Sequence, residues 1–185
     1  MGNYFWSAPL APMHGNLGTA VTAAALTSGA PLPLPQIPGG TIDPGGFLDV
    51  EADLEMTSAS ATPTLTMGLY IGSVGQAIGS KTLIAATPAM ALSASAAAWP
   101  IKLRYKGRIT LVSATAAVIR GSGELLYGSS LTAWASSPFP VTAAARIVST
   151  LNTQQTNEVD IGITLSATTG APSILCTNFL PVVHG

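Results

Sequence analysis

The sequence predicts an all-β protein of the sandwich or barrel type, and three observations carry that expectation. Residues 101–112 alternate strictly, with Ile101, Leu103, Tyr105, Gly107, Ile109 and Leu111 on one side and Lys102, Arg104, Lys106 and Arg108 on the other. That two-residue period belongs to a strand with one buried face. Residues 48–56 repeat the pattern with the opposite sign: Leu48, Val50, Ala52, Leu54 and Met56 alternate with Asp49, Glu51, Asp53 and Glu55. From Phe47 onward, short alternating runs are divided by Gly, Pro, Ser and Thr clusters, with no amphipathic helical period and no internal repeat.

The chain divides into an extended arm, residues 1–46, and a β domain, residues 47–185. The arm carries Pro9, Pro12, Pro31, Pro33, Pro35, Pro38 and Pro44 and no charge before Asp43. Prolines this dense remove backbone donors and favour extended geometry, leaving only residues 19–27 for a strand or a short helix, with the strand preferred. Tyr4, Phe5 and Trp6 are costly to leave in water, so the arm is expected to lie against its own domain or a neighbour. The bland alternative is a disordered tail.

In the domain, strands are expected over residues 48–56, 64–71, 81–86, 89–93, 101–112, 116–127, 141–150, 159–165 and 173–183, about eight to ten in all. Residues 58–63 and 72–75 read as turns. Pro100 suits the first residue of a strand, and Gly121 and Gly123 suggest a bulge or a close backbone approach. Residues 128–140, with Trp134, Pro138, Phe139 and Pro140, read as an apolar loop lying against another surface. Residues 152–157, Asn-Thr-Gln-Gln-Thr-Asn, read as the most solvated turn.

Composition narrows the function. At 185 residues the chain has room for one domain with a sizeable core. Only 8% of residues are charged, against roughly 25% in ordinary soluble domains. So few charges suit a surface covered by neighbours. A net charge of −1 supplies no field for nucleic acid or anionic membrane. No apolar run reaches the ~20 residues of a membrane helix. The first residues lack a signal peptide's basic and apolar segments, and Trp6 stands where a myristoylation motif wants Ser or Thr. One cysteine, Cys176, allows neither an intrachain disulfide nor a cysteine-based metal site.

Chemistry-bearing motifs are sparse, and the expectation is a protein without catalytic residues, metal or cofactor. His14 and His184 lie at the two ends of the chain, far from clustered ligands, and no Gly-x-Ser-x-Gly elbow occurs. Residues 75–82, Gly-Gln-Ala-Ile-Gly-Ser-Lys-Thr, look like a phosphate-binding loop, but Ser80 replaces the glycine before Lys81 and Pro88 follows where a helix should open. They read as a plain loop. The acidic row could supply a glycosidase pair or a Ca²⁺ site, but four evenly spaced acids without a sugar-stacking aromatic look like a stripe. The acidic and basic rows are most simply read as facing each other, within a sheet or across a subunit boundary, to set register and partner choice. Two independent solvated faces is the bland alternative.

The runs Phe47-Leu48-Asp49-Val50-Glu51-Ala52 and Thr62 to Gly72, with Trp99 opening the long strand and Val159–Leu165 followed by Ser166-Ala167, resemble the small β-sandwich structural proteins of tailed bacteriophages over residues 45–183. The resemblance implies a jelly-roll-like antiparallel β-sandwich acting in the virion, after assembly in the host cytoplasm, as a capsid decoration or cement protein. It implies a homo-oligomer, the trimer favoured, with the major capsid protein or other virion proteins as partners. The interface residues would be Asp49, Glu51, Asp53, Glu55, Lys102, Arg104, Lys106 and Arg108, and Tyr4, Phe5 and Trp6 would anchor the arm. A tail, baseplate or receptor-binding protein is the alternative, and predicts an exposed pocket with aromatic or acidic groups. A carbohydrate-active enzyme is the remote one, and predicts two carboxylates of perturbed acidity in a cleft.

Overall fold

The computed structural model describes residues 24–25, 36–41, 45–57, 64–91, 93–94, 96–113, 115–130, 133–139, 147–166 and 173–184. Among them the chain forms strands β1 (Ala24–Ala25), β2 (Gln36–Ile37), β3 (Phe47–Thr57), β4 (Thr64–Ser73), β5 (Thr82–Ala86), β6 (Met90–Ala91), β7 (Trp99–Ser113), β8 (Ala116–Ser130), β9 (Ala133–Phe139), β10 (Ile147–Asn152), β11 (Asn157–Leu165) and β12 (Ser173–His184). A 3₁₀ turn, Ile78–Ser80, precedes β5.

The strands form two antiparallel sheets packed face to face as an all-β sandwich. Sheet I runs β10-β8-β7-β3-β12, with β9 also on β8. Sheet II runs β1-β11-β4-β5, with β2 on β11 and β6 on β4. Among the described strands the chain changes sheets from β2 to β3, β3 to β4, β6 to β7, β10 to β11 and β11 to β12. The strands flanking the β3–β4 and β11–β12 crossings pair with each other, β3 with β12 and β4 with β11. The alternating apolar rows meet between the sheets: Leu48, Val50, Leu54, Ile101, Leu103 and Tyr105 from sheet I, and Leu65, Met67, Leu69, Val159, Ile161 and Ile163 from sheet II, are all buried. Each such side chain contributes about 1.5–3 kcal/mol on leaving water.

The expected close approach at Gly121 and Gly123 is present, and there is no bulge between β7 and β8 at these positions. A methyl on either glycine would run into the β7 backbone beside Tyr105. The glycines leave room for the Tyr105 ring, which meets Phe139 edge-on at 5.9 Å.

Three expectations need correction. Residues 133–139 are a strand, not a loop, pairing with β8 from Gly123↔Phe139 to Ser130↔Ala133. Pro138 is tolerated because β9 lies at the sheet margin, where a missing donor leaves no second neighbour unpaired. The stretch 152–157 is not fully solvated: Thr153 and Asn157 are buried. The Asn157 amide donates to the carbonyls of Asn152 at 2.8 Å and Gln155 at 2.9 Å, so the polar side chain closes its own turn. His184 does not sit on a loose end but is the last residue of β12.

Tyr4, Phe5, Trp6 and His14 lie outside the described residues. Of the segment 1–46, β1 and β2 each pair with β11, and Ile37 enters the core. Residues 141–146 of the expected strand 141–150 also lie outside them, and β10 covers the rest.

Candidate functional site

Strands β3 and β7 pair so that Asp49 lies opposite Lys106, Glu51 opposite Arg104 and Asp53 opposite Lys102. Their apolar residues point to the core, which forces both charged rows onto the outer face of sheet I. The opposed pairs touch: Lys102 Nζ is 3.3 Å from Asp53 Oδ1, Arg104 Nε 3.7 Å from Glu51 Oε1 and Lys106 Nζ 3.6 Å from Asp49 Oδ2. All are substantially exposed, so each contributes about 0–1 kcal/mol. The facing is therefore within one sheet of one chain.

Two members of the rows stand apart. Glu55 lies opposite Pro100, and Arg108 lies between Phe47 on β3 and Arg120 on β8. Lys106 also sits over the Phe47 ring, 5.1 Å from its centre. Sequence reasoning missed two neighbours of the rows. His184 Nε2 comes within 3.0 Å of Asp49 Oδ2, and Glu124 on β8 lies opposite Arg104. Both follow from pairings, β12 on β3 and β8 on β7, that strand periodicity alone does not specify. Between the rows lies a shallow depression of about 600 Å³ lined by Asp49, Glu51, Arg104, Lys106, Glu124 and His184, with Leu180 and Val182 from β12 as its apolar edge.

The outer face of sheet I thus carries Asp49, Glu51, Asp53, Glu55 and Glu124 against Lys102, Arg104, Lys106, Arg108 and Arg120, equal in number. Three other charged residues are described, and all three are buried on the opposite side of the molecule.

These are Lys81, Glu158 and Asp160. On β11, Val159, Ile161 and Ile163 face the core, so Glu158, Asp160 and Gly162 face outward from sheet II. The segment between β4 and β5 folds over that outer row. Gly75, with φ +74°, turns the chain, and Gln76 pins it by accepting from the Ser73 amide at 3.0 Å and donating to the Ser80 carbonyl at 2.6 Å. Gly72 and Gly162 lack side chains where the Lys81 stem and Ile78 come down. The Lys81 ammonium therefore reaches Glu158 Oε1 at 2.6 Å and Asp160 Oδ2 at 2.8 Å, with side-chain exposures of 1%, 6% and 1% for Lys81, Glu158 and Asp160. Glu158 Oε1 also accepts from the Gly75 amide at 3.2 Å.

Asp160 is incompletely satisfied. No described group makes a hydrogen bond of good geometry to its buried Oδ1, although the Ile161 amide lies close enough to favour the anion. Burial holds its carboxyl above the ordinary value, the Glu158 charge adds to the rise, and Lys81 opposes it. Tyr70, opposite Asp160 on β4, has its hydroxyl raised by burial and then by the Asp160 charge. The sequence placed Lys81 where an expected loop, residues 75–82, meets an expected strand, residues 81–86, and gave no sign that it would reach Glu158 and Asp160. The available signal was that Lys81 is the only charged residue between Glu55 and Lys102.

Elsewhere, Cys176 is buried and its thiol is pushed up to about 11, chiefly by desolvation. Among the described residues, no three His, Cys, Asp or Glu side chains converge on a position that would hold a metal ion. No helix of the described residues is long and apolar enough to cross a membrane.

Compared with protein-family models, curated proteins and solved structures, the chain matches none.

Proposed function

We propose that the chain is a structural protein of a bacteriophage virion, a capsid decoration or cement protein that binds the head as a homo-oligomer and has no catalytic role. The observation that carries the reading is the segregation of charge. The described surface is charged only on the outer face of sheet I, and there every acid–base contact is between neighbours within the sheet. The rest of the described surface is uncharged, with Val74 and Leu83 among its exposed apolar side chains. Surfaces poor in charge and studded with apolar groups are covered by partners in assemblies. The charged rows, neutral in sum, would favour one alignment of a neighbour through complementary potential. Three of the carboxylates on that face each contact a base, an arrangement suited to recognition more than to acid–base catalysis.

The depression between the rows favours a second reading, a tail, baseplate or receptor-binding protein that holds a ligand against Glu51, Glu124 and His184. One experiment separates the two: immunoblotting of gradient-separated heads, tails and free protein from a producing lysate. The decoration reading expects the chain with heads. Its presence only on tails favours the second reading, and its absence from both sinks the virion assignment.

A further inference from the structure

The geometry points to an intramolecular isopeptide bond between the Lys81 side-chain nitrogen and the Asp160 side-chain carboxyl carbon, formed with Glu158 as the proton carrier. This does not depend on the virion reading; it concerns the covalent state of the folded chain.

Three features of the buried trio carry it. The first is proximity. The Lys81 nitrogen is 2.8 Å from one Asp160 oxygen and 2.6 Å from Glu158, so nucleophile, electrophile and base are held in contact before any reaction. Such placement removes most of the entropic barrier to joining two groups. Two strands and a pinned turn hold them there, since Glu158 and Asp160 project from the same side of β11 at i and i+2.

The second is exclusion of water. Amide formation from an amine and an acid releases water, and in bulk solvent the ionised reactants resist it. Here Lys81 and Asp160 are 1% exposed, and burial favours the uncharged carboxylic acid over the anion. The third is charge. Two carboxylates share one ammonium with no other described cation nearby, and among the described residues Asp160 Oδ1 has no hydrogen-bond partner of good geometry. Condensation replaces two buried ions, only partly compensated by the Ile161 amide, by one neutral amide, the direction in which a low-dielectric interior drives the equilibrium.

The atoms balance without a co-reactant. Glu158 relays a proton from the Lys81 ammonium to an Asp160 carboxylate oxygen, and the neutral amine donates its lone pair to the carbon of the resulting carboxylic acid, forming the C–N bond. The nitrogen of the tetrahedral adduct then gives up a second proton, through Glu158, to the hydroxyl oxygen, and the C–O bond breaks to release water. Ammonium plus carboxylate become amide plus water, and Glu158 ends as it began. The product ties the segment covering sheet II to its central strand β11.

The test is the intact mass of the purified full-length protein, followed by peptide mapping. The proposal expects folded wild-type protein to be lighter than its sequence by one water. A protease digest should contain a branched peptide joining Lys81 to Asp160. Lys81→Arg and Asp160→Ala should both return the full sequence mass. Glu158→Gln should do the same while keeping its far-ultraviolet circular dichroism. Three results overturn the proposal: a full sequence mass in folded wild-type protein, a water loss mapped to an unbranched peptide, or a deficit that survives Lys81→Arg. The decisive measurement is on the wild type, so it stands even if a variant fails to fold.

Discussion

The two outer faces of the sandwich use the same side-chain chemistry and put it to opposite ends. On sheet I, lysine and arginine meet carboxylates across neighbouring strands at 3.3–3.7 Å with water around them. On sheet II, one lysine meets two carboxylates at 2.6 and 2.8 Å with water excluded. Solvent screens the first set until each pair contributes little. In the second set each charge has already lost its hydration and depends on its partners, so removing one leaves the others stranded. Burial, more than residue type, decides whether an acid–base contact is a mild preference or a commitment.

The largest expected effect comes from breaking the buried side. Lys81→Met strands Glu158 and Asp160 in the interior, with the loss of any Lys81–Asp160 amide added to it, and should cost at least about 3–5 kcal/mol in urea unfolding. Lys102→Met, on the exposed side, should cost no more than about 1 kcal/mol. Equal losses would erase the distinction between the faces.

Acid sharpens the contrast further. Burial raises the Asp160 carboxyl above its ordinary 3.8, so the folded chain binds that proton more tightly than the unfolded one. Its favourable contribution is complete below the ordinary value and is lost as pH rises through the raised one. Lys81→Met removes the ammonium that opposes the rise. The variant should therefore recover stability as pH is lowered from about 7 to about 4, read as a rising thermal midpoint. A midpoint that only falls over that range would argue against a strained, buried Asp160.

On sheet I, Glu51→Lys and Arg104→Glu should each cost up to about 1 kcal/mol, and the double exchange should restore part of it. At about 1 M salt, where the screening length is about 3 Å, the coupling should nearly vanish. Coupling that persisted in salt would mean that this face is covered in solution. The smallest effect on folding is expected at Trp134, which is 57% exposed. Trp134→Ser should change stability by less than about 0.5 kcal/mol. It should nonetheless weaken co-sedimentation with the particle if this face meets a neighbour there.

Much of sheet I was legible because its two central strands advertise themselves twice, by apolar period and by charge sign. Opposite rows also restrict the register, since sliding β3 against β7 by one residue would place Asp49 and Glu51 against the core, but a slide by two residues keeps the pattern, and only the structure set Glu51 against Arg104. Strand β9 was illegible because Pro138 and the Trp134 to Phe139 stretch look like an irregular apolar loop. Only its place at a sheet margin makes the proline acceptable. The buried trio was illegible for a different reason. Glu158 and Asp160 follow the same in-and-out alternation as Asp49 and Glu51, and nothing local distinguishes an outer face that stays wet from one that is roofed.

The sequence by itself determined the all-β class and the inward rows of both sheets, and left open whether the two charged strands meet within a sheet, across a subunit boundary or not at all. What it determined follows from a two-residue period that is a local property of the chain. Only the tertiary structure decided that the segment after β4 lies over β11, brings Lys81 from 79 positions away onto Asp160 and seals the pair from water. Whether a charge keeps its hydration depends on what folds on top of it, and distant parts of the chain settle that only when they meet.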